Sequence, residues 1–146
     1  MHWQRQFLHP MLKAFDAPTR EECTAERPRS NTPLAALVLL NDPSFVEASR
    51  ALAARILAAG GNDTAERLSF AFQAAASRPP DELELQTLSG LAALSEAHYR
   101  QHPDEAAKLL EIGDSPAPNE LDPVALATWT NVARVILSLN EVTTRH

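Results

Sequence analysis

The chain has 146 residues, a formal net charge of −6 and an apolar share of 45%. This length suits one domain with a sizeable hydrophobic core, and the acidic balance argues against a general nucleic-acid binder, which carries a basic face. No apolar run approaches the roughly 18–20 residues that a membrane span requires. Because only 5% of the residues are aromatic, leucine and alanine must fill the interior, which favours closely packed helices.

Residues 1–18 form the least regular part of the sequence. Apolar residues recur there at spacings of three and four, which indicates short helical pieces, but Pro10 interrupts them and Pro18 turns the chain. The start of the chain lacks the apolar core of a signal peptide. We expect a single helical domain over residues 1–146, with an irregular lead-in over 1–18 and a helical bundle over 19–146. A short apolar lead-in needs a surface to pack on, so we expect an upstream partner or self-association.

A short apolar helix is predicted from Pro33. Asn31 or Thr32 can cap it, and proline suits the first helical position because its fixed φ matches the helix and its missing N–H is not needed there. The seven residues Leu34–Leu40 are all apolar. A helix without a polar face is buried on every side, so we expect this one to be the enclosed centre of the fold.

Five further helices are predicted from capping and helical spacing. Asp42-Pro43 starts a helix that Gly60-Gly61 ends, with Glu47, Arg50 and Arg55 off its apolar stripe. The next two helices start with capping boxes, and Gly90 in the second of them suggests a closely approaching neighbour. A short helix over 104–112 and a loop over 114–119 follow, and Asp122-Pro123 starts a final helix whose wide apolar surface predicts a central position. The capping boxes are Asp63-Thr64-Ala65-Glu66 and Asp81-Glu82-Leu83-Glu84.

No segment shows the alternating pattern of a strand, so the predicted fold is all-α. It is an irregular multi-helix bundle around the short buried helix that starts at Pro33.

Three blocks of this sequence resemble a known family. The C-terminal domain of unknown function in large exported planctomycete proteins has a similar pattern, and many of those proteins begin with a planctomycete-type cytochrome c domain. The resemblance covers nearly the whole chain, including Arg78-Pro79-Pro80 and the closing Trp129–Glu141 stretch. The blocks that carry it are Phe15-Asp16-Ala17-Pro18-x-Arg20-Glu21-x-Cys23-Thr24, Arg27-x-Arg29-x-Asn31-Thr32-Pro33-Leu34 and Ala36 to Ala48.

The resemblance implies export to the periplasm or cell surface and upstream domains, often with a haem-binding Cys-x-x-Cys-His motif. It implies no cofactor in this segment and names no reaction. Two positions depart from the family pattern, because Ala35 stands where glutamine is usual and Glu26 where a basic residue is usual. Both changes remove polar groups that a site could use.

The candidate contact residues flank the predicted Pro33 helix. One interpretation is architectural: the acidic and amide side chains cap turns, and the arginines pair with Asp16, Glu21 or Glu47. The alternative is an anion or partner site, in which Arg27 and Arg29 hold a carboxylate or sulfate at the helix N-terminus. The candidate residues are Asp16, Arg20, Arg27, Arg29 and Asn31, with Cys23 and Asn41 beside them.

No catalytic or metal constellation is apparent in the sequence. Cys23 is the only cysteine and has no histidine close in sequence, which is typical of a structural thiol. His98 and His102 have the i, i+4 spacing of metal ligands but no apparent third ligand, so we expect them on the solvent side and expect no metal site.

Two function classes remain open at this point. The first is a structural or interaction module of an exported multidomain protein. The second is part of an enzyme that acts on extracellular or envelope polysaccharide and shares its site with upstream sequence.

Overall fold

The computed structural model describes residues 37–38, 40–118 and 120–143. Of these residues 77% are helical, and none is in a strand. Six helices are complete within the described ranges, and they pack together as one bundle, so the prediction of an all-α multi-helix fold is confirmed. They are α1 (Pro43–Ala59), α2 (Thr64–Ala76), α3 (Glu82–Gln101), α4 (Pro103–Leu110), α5 (Pro123–Leu137) and α6 (Asn140–Thr143).

The helix starts follow the local signals of the sequence. Asp42 caps α1 by accepting a hydrogen bond from the Ser44 amide at 2.9 Å, and proline occupies the first position of α1, α4 and α5. Both predicted capping boxes are present, at the starts of α2 and α3. These contacts join residues within three positions of each other, which is why they can be predicted without knowledge of the fold.

Helix α5 is the centre of the bundle. It contacts each of the other five helices, most extensively α1 and α3, and eight of its fifteen residues are buried. Its wide apolar surface predicted this position correctly. The core around it is aliphatic with few aromatic rings: Phe72, Ile56, Leu68, Leu126, Ile136 and Val132 are its largest fully buried apolar side chains.

The described residues of the predicted enclosed helix at Pro33 do not occupy the centre. Its residues 37, 38, 40 and 41 are described and helical, but 57% of Leu37 is exposed and Leu40 is only half-buried. The prediction of complete enclosure is therefore wrong for this part of the helix. An apolar run shows which residues prefer burial, but tertiary packing determines which neighbours cover each side of it. In this fold the central position is occupied by α5.

Gly90 also differs from expectation. A side chain added there would meet nothing within 4 Å, so no part of the described chain approaches it closely. The glycine lies on the solvent side of α3.

Within the described part of the chain, no helix has both the length and the apolar character needed to cross a membrane.

Candidate functional site

A cleft of about 600 Å³ opens between α4, the loop that follows it and the start of α5. Aliphatic and proline side chains form most of its wall, and the carboxylates of Glu111 and Asp114 supply negative charge. It is lined by Ala107, Leu110, Glu111, Gly113, Asp114, Ser115, Pro116, Ala117, Pro118, Leu121, Pro123 and Leu126.

The buried guanidinium of Arg50 holds the loop side of this cleft. Only 3% of Arg50 is exposed, although arginine is rarely buried without partners. Its Nη1 donates to the carbonyl oxygen of Leu110 and, at 3.0 Å, to that of Ile112. Its Nη2 donates to the carbonyl oxygen of Ser115. One side chain of α1 thus binds the last turn of α4 and the loop beyond it.

Glu47, one turn before Arg50, binds the same loop from α1. Its carboxylate accepts a hydrogen bond from the Asp114 amide at 2.7 Å. A hydrogen bond from the Ser115 side chain, then that from the Asp114 amide, lowers the pKa of Glu47 below its usual value of 4.5. Gly113 allows the close approach, because its φ of +109° is left-handed and a Cβ there would collide with the Glu47 carboxylate.

The sequence does not predict the clamp that Arg50 and Glu47 form on the loop after α4. Helical spacing places both residues off the apolar stripe of α1, and the charge pattern suggests Glu47 only as an ion-pair partner for arginines near the Pro33 helix. The structure buries Arg50 and directs Glu47 to the loop. The walls of the cleft suit an apolar group, and its acidic side chains suit a cationic or hydroxyl-rich one. The Arg50 guanidinium donates to three backbone carbonyl oxygens.

The predicted contact residues Asp16, Arg20, Arg27, Arg29 and Asn31 lie outside the described residues, as does Cys23. Their grouping as an anion or partner site therefore stays a prediction.

The architectural interpretation predicts that Asn41 caps the helix starting at Pro43, and the structure, which describes Asn41, shows a different role. Its side-chain amide donates to the carbonyl oxygen of Leu37 at 3.0 Å. It therefore binds the end of the preceding helix, while Asp42 caps α1.

His98 in α3 and His102 directly after it are both exposed, as predicted. Their ring centroids are 4.9 Å apart, and His98 Nε2 is 2.7 Å from an oxygen of Glu105. Across the described ranges, no group of three or more histidine, cysteine or acidic side chains could hold a metal ion.

A chain of polar contacts connects α3, α5 and the helix before α1. The Asn131 amide donates to the hydroxyl of Tyr99 at 2.8 Å, and its carbonyl oxygen accepts from Arg134 Nη1 at 3.2 Å. Arg134 Nη2 in turn donates to the carbonyl oxygen of Leu40. Burial raises the pKa of Tyr99. These contacts connect Leu40 to the central helix.

Arg78 connects the start of α3 to α6. Its guanidinium binds Glu84 at the start of α3 and Glu141 in α6, each with an N–O distance of 2.6 Å. It also lies 5.2 Å from the ring centroid of Phe72. The hydrogen bond from Arg78, followed by that from the Asp81 amide, lowers the pKa of Glu84 from 4.5 to about 2.

This shift predicts part of the acid sensitivity of the protein. A lowered folded-state pKa means that the Glu84 carboxylate stabilises the fold above pH 4.5, and that this contribution is lost as the pH falls toward 2. In Glu84→Gln the amide oxygen can still accept a hydrogen bond from the Asp81 N–H. We expect the midpoint temperature of unfolding of this variant to fall less steeply as the pH is lowered over this range. Thermal unfolding measured from pH 6 to pH 2 tests this, and parallel curves for the two proteins would contradict it.

A family model matches residues 1–92: PSD1, described as a protein of unknown function (DUF1553). No curated protein and no solved structure matches the chain. The matched region includes α1, α2 and the first half of α3, whereas the cleft lies beyond it. The Arg50 clamp therefore joins the matched region to the part of the chain that follows.

Proposed function

Because this chain belongs to the PSD1 family of proteins of unknown function (DUF1553), we propose that it is a structural or interaction module of an exported multidomain protein. The proteins it resembles are planctomycete proteins with upstream domains, often including a cytochrome c domain. In this proposal the module binds those upstream domains, carries no cofactor of its own and works at the cell surface or in the periplasm.

The observation that carries the proposal is an exposed apolar surface beside the resembling motif. Leu37, in the Leu34–Leu40 run, is 57% exposed, and Val135 on α5 is 38% exposed. The bond from Arg134 to the carbonyl oxygen of Leu40 brings these two segments together. A contiguous exposed apolar surface is typical of an interface, and in this proposal Leu37 and Val135 belong to one such surface.

The test uses the segment that lies upstream of this domain in a PSD1-family protein, produced as a separate chain. We expect it to bind this chain in calorimetry, and we expect Leu37→Asp and Val135→Asp each to weaken binding at least tenfold, because each places a charge in an apolar contact. Leu83→Asp, on the exposed side of α3, is the matched control and leaves this binding unchanged. Absence of binding, or equal loss in the control, would contradict the proposal.

The cleft favours a second candidate, a site-sharing part of an enzyme that acts on extracellular or envelope polysaccharide. Its acidic side chains, Glu111 and Asp114, can accept hydrogen bonds from sugar hydroxyls. Binding of neutral oligosaccharides that Glu111→Ala and Asp114→Ala abolish would favour this candidate. Either candidate can include the predicted contact residues, which are Asp16, Arg20, Arg27, Arg29 and Asn31. A double variant with Arg27→Ala and Arg29→Ala tests these contacts in binding measurements with acidic oligosaccharides.

A further inference from the structure

The segment that forms most of the cleft between α4 and α5 is acidic. Residues 109–133 contain four carboxylates and no lysine, arginine or histidine. Glu111 and Asp114 line the cleft, while Glu120 and Asp122 flank the lining residue Leu121 in sequence, and all four acidic residues are exposed. Neighbouring charges of one sign create a negative potential at the surface, which attracts a positively charged ligand.

The basic side chains beside the cleft have other partners. Lys108 pairs with an aspartate of its own helix α4 at 3.6 Å. Arg50 is 3% exposed, donates to three backbone carbonyl oxygens and attracts the Glu47 carboxylate. Among the residues that the structure describes, neither Glu111 nor Asp114 forms an ion pair. Their carboxylates are therefore available to a ligand.

The loop wall of the cleft offers many hydrogen-bond acceptors and few donors. Three of the lining residues are prolines, which have no N–H, and the backbone amides of Asp114 and Ser115 already donate to Glu47. Carboxylate and carbonyl oxygens only accept, and ammonium and guanidinium groups only donate, whereas a sugar hydroxyl does both. The wall therefore suits a cation better than a neutral sugar.

The remaining wall suits the stem of a long basic side chain. It is aliphatic, with Leu110, Leu121 and Leu126 as its largest side chains, and the cleft volume of about 600 Å³ is typical of a ligand site. Lysine and arginine bury their methylene stems on such surfaces while the charged head stays near water. Because Arg50 and Glu47 hold the loop in place, little ordering is needed when a ligand binds.

We propose that this cleft binds a lysine or arginine side chain on a basic segment of a partner polypeptide. The methylene stem packs on the aliphatic wall, and the cationic head donates hydrogen bonds to Glu111 and Asp114. The inference goes beyond the proposed function, because it gives the partner chemistry of a site that the contact through Leu37 and Val135 does not use.

The extent of the acidic surface favours a polypeptide over a free amine. The cleft takes one long side chain, but Glu120 and Asp122 continue the negative charge past Leu121. A segment with several basic residues pairs with these carboxylates as well, whereas a small amine leaves them unpaired. Linked contacts strengthen binding, because the second contact forms within a complex that already exists.

Calorimetry of the full chain with a pentalysine peptide blocked at both ends gives the first test. We expect binding that weakens about tenfold between about 0.01 M and 0.15 M salt, because the screening length falls from about 30 Å to about 8 Å. The same peptide with every ammonium group acetylated keeps the stems without the charge, and we expect it not to bind. No binding of pentalysine, or equal binding of the acetylated peptide, would overturn the proposal. Equal affinity for cadaverine would show a small-amine site and overturn the assignment to a polypeptide.

Two double variants test whether the carboxylates of the cleft are responsible. Glu111→Gln with Asp114→Asn removes both charges at exposed positions, and we expect pentalysine to bind about tenfold more weakly because charge-assisted hydrogen bonds are lost. Glu82→Gln with Glu96→Gln removes the same charge on α3, outside the cleft, and should leave the affinity nearly unchanged. Equal losses would show general attraction to an acidic protein and overturn the site.

Nuclear magnetic resonance of the nitrogen-15-labelled chain locates the bound peptide. We expect pentalysine to shift amide signals within residues 107–126, which line the cleft, and to leave those of α2 in place. Shifts confined to other parts of the chain would overturn the assignment to the cleft.

The inference and the proposed function can fail separately. If the upstream segment binds through Leu37 and Val135 but pentalysine does not bind, only the inference is wrong. If pentalysine binds at the cleft and the upstream segment does not bind, the inference stands without the upstream contact. Neutral oligosaccharides that bind at Glu111 and Asp114 in place of pentalysine would overturn the inference and favour the second candidate function.

Discussion

Replacing Arg50 by methionine should lower the free energy of unfolding by about 3 kcal/mol. Methionine can fill much of the space, but it leaves the carbonyl oxygens of Leu110, Ile112 and Ser115 without their charged donor. Hydrogen bonds to a charged group contribute about 1.5–3 kcal/mol each, and a buried polar group left unpaired costs its desolvation. The effects are not additive, because the loop can move and admit water.

Arg55 is the matched control on the same helix. It is exposed, so Arg55→Met should change stability by no more than about 0.5 kcal/mol. Urea unfolding followed by circular dichroism measures both variants. Arg50→Lys should fall between them, because lysine keeps the charge but loses the planar fork that reaches several carbonyls at once. Equal stability of Arg50→Met and Arg55→Met would show that the clamp does not hold the loop.

Truncating Phe72 to alanine should lower the free energy of unfolding by about 3–5 kcal/mol. Its ring is 0% exposed and heads the fully buried side chains in size. It packs in the main core cluster together with Ile56 and Leu68, and the Arg78 guanidinium lies over its face. Removal leaves a cavity, because the surrounding side chains relax only partly into the space.

Phe70 gives the comparison for this prediction. It lies two residues away on α2 and is only half-buried against the same core, so Phe70→Ala should cost clearly less because less apolar surface is buried there. Phe72→Leu, which keeps most of the volume, should cost less than about 1.5 kcal/mol. Denaturant unfolding of all three variants decides the order, and equal losses at positions 70 and 72 would contradict the assigned core.

The sequence by itself determined the all-α class and most of the helix starts. Asp63 with Glu66 and Asp81 with Glu84 form the capping boxes that their spacing predicts, and α5 is central as its wide apolar surface indicates. These features could be predicted because capping and helical periodicity depend on residues within one or two turns of each other.

The tertiary structure alone decided which residues become partners over long distances along the chain. Arg50 and Ser115 are 65 positions apart, and Arg78 and Glu141 are 63 positions apart. Nothing in the spacing of such residues indicates that they meet. The same reason explains why the run Leu34–Leu40 led to a wrong prediction of enclosure at Leu37. An apolar run indicates that its residues prefer burial. Only the packing of the other helices determines which side of the run is covered.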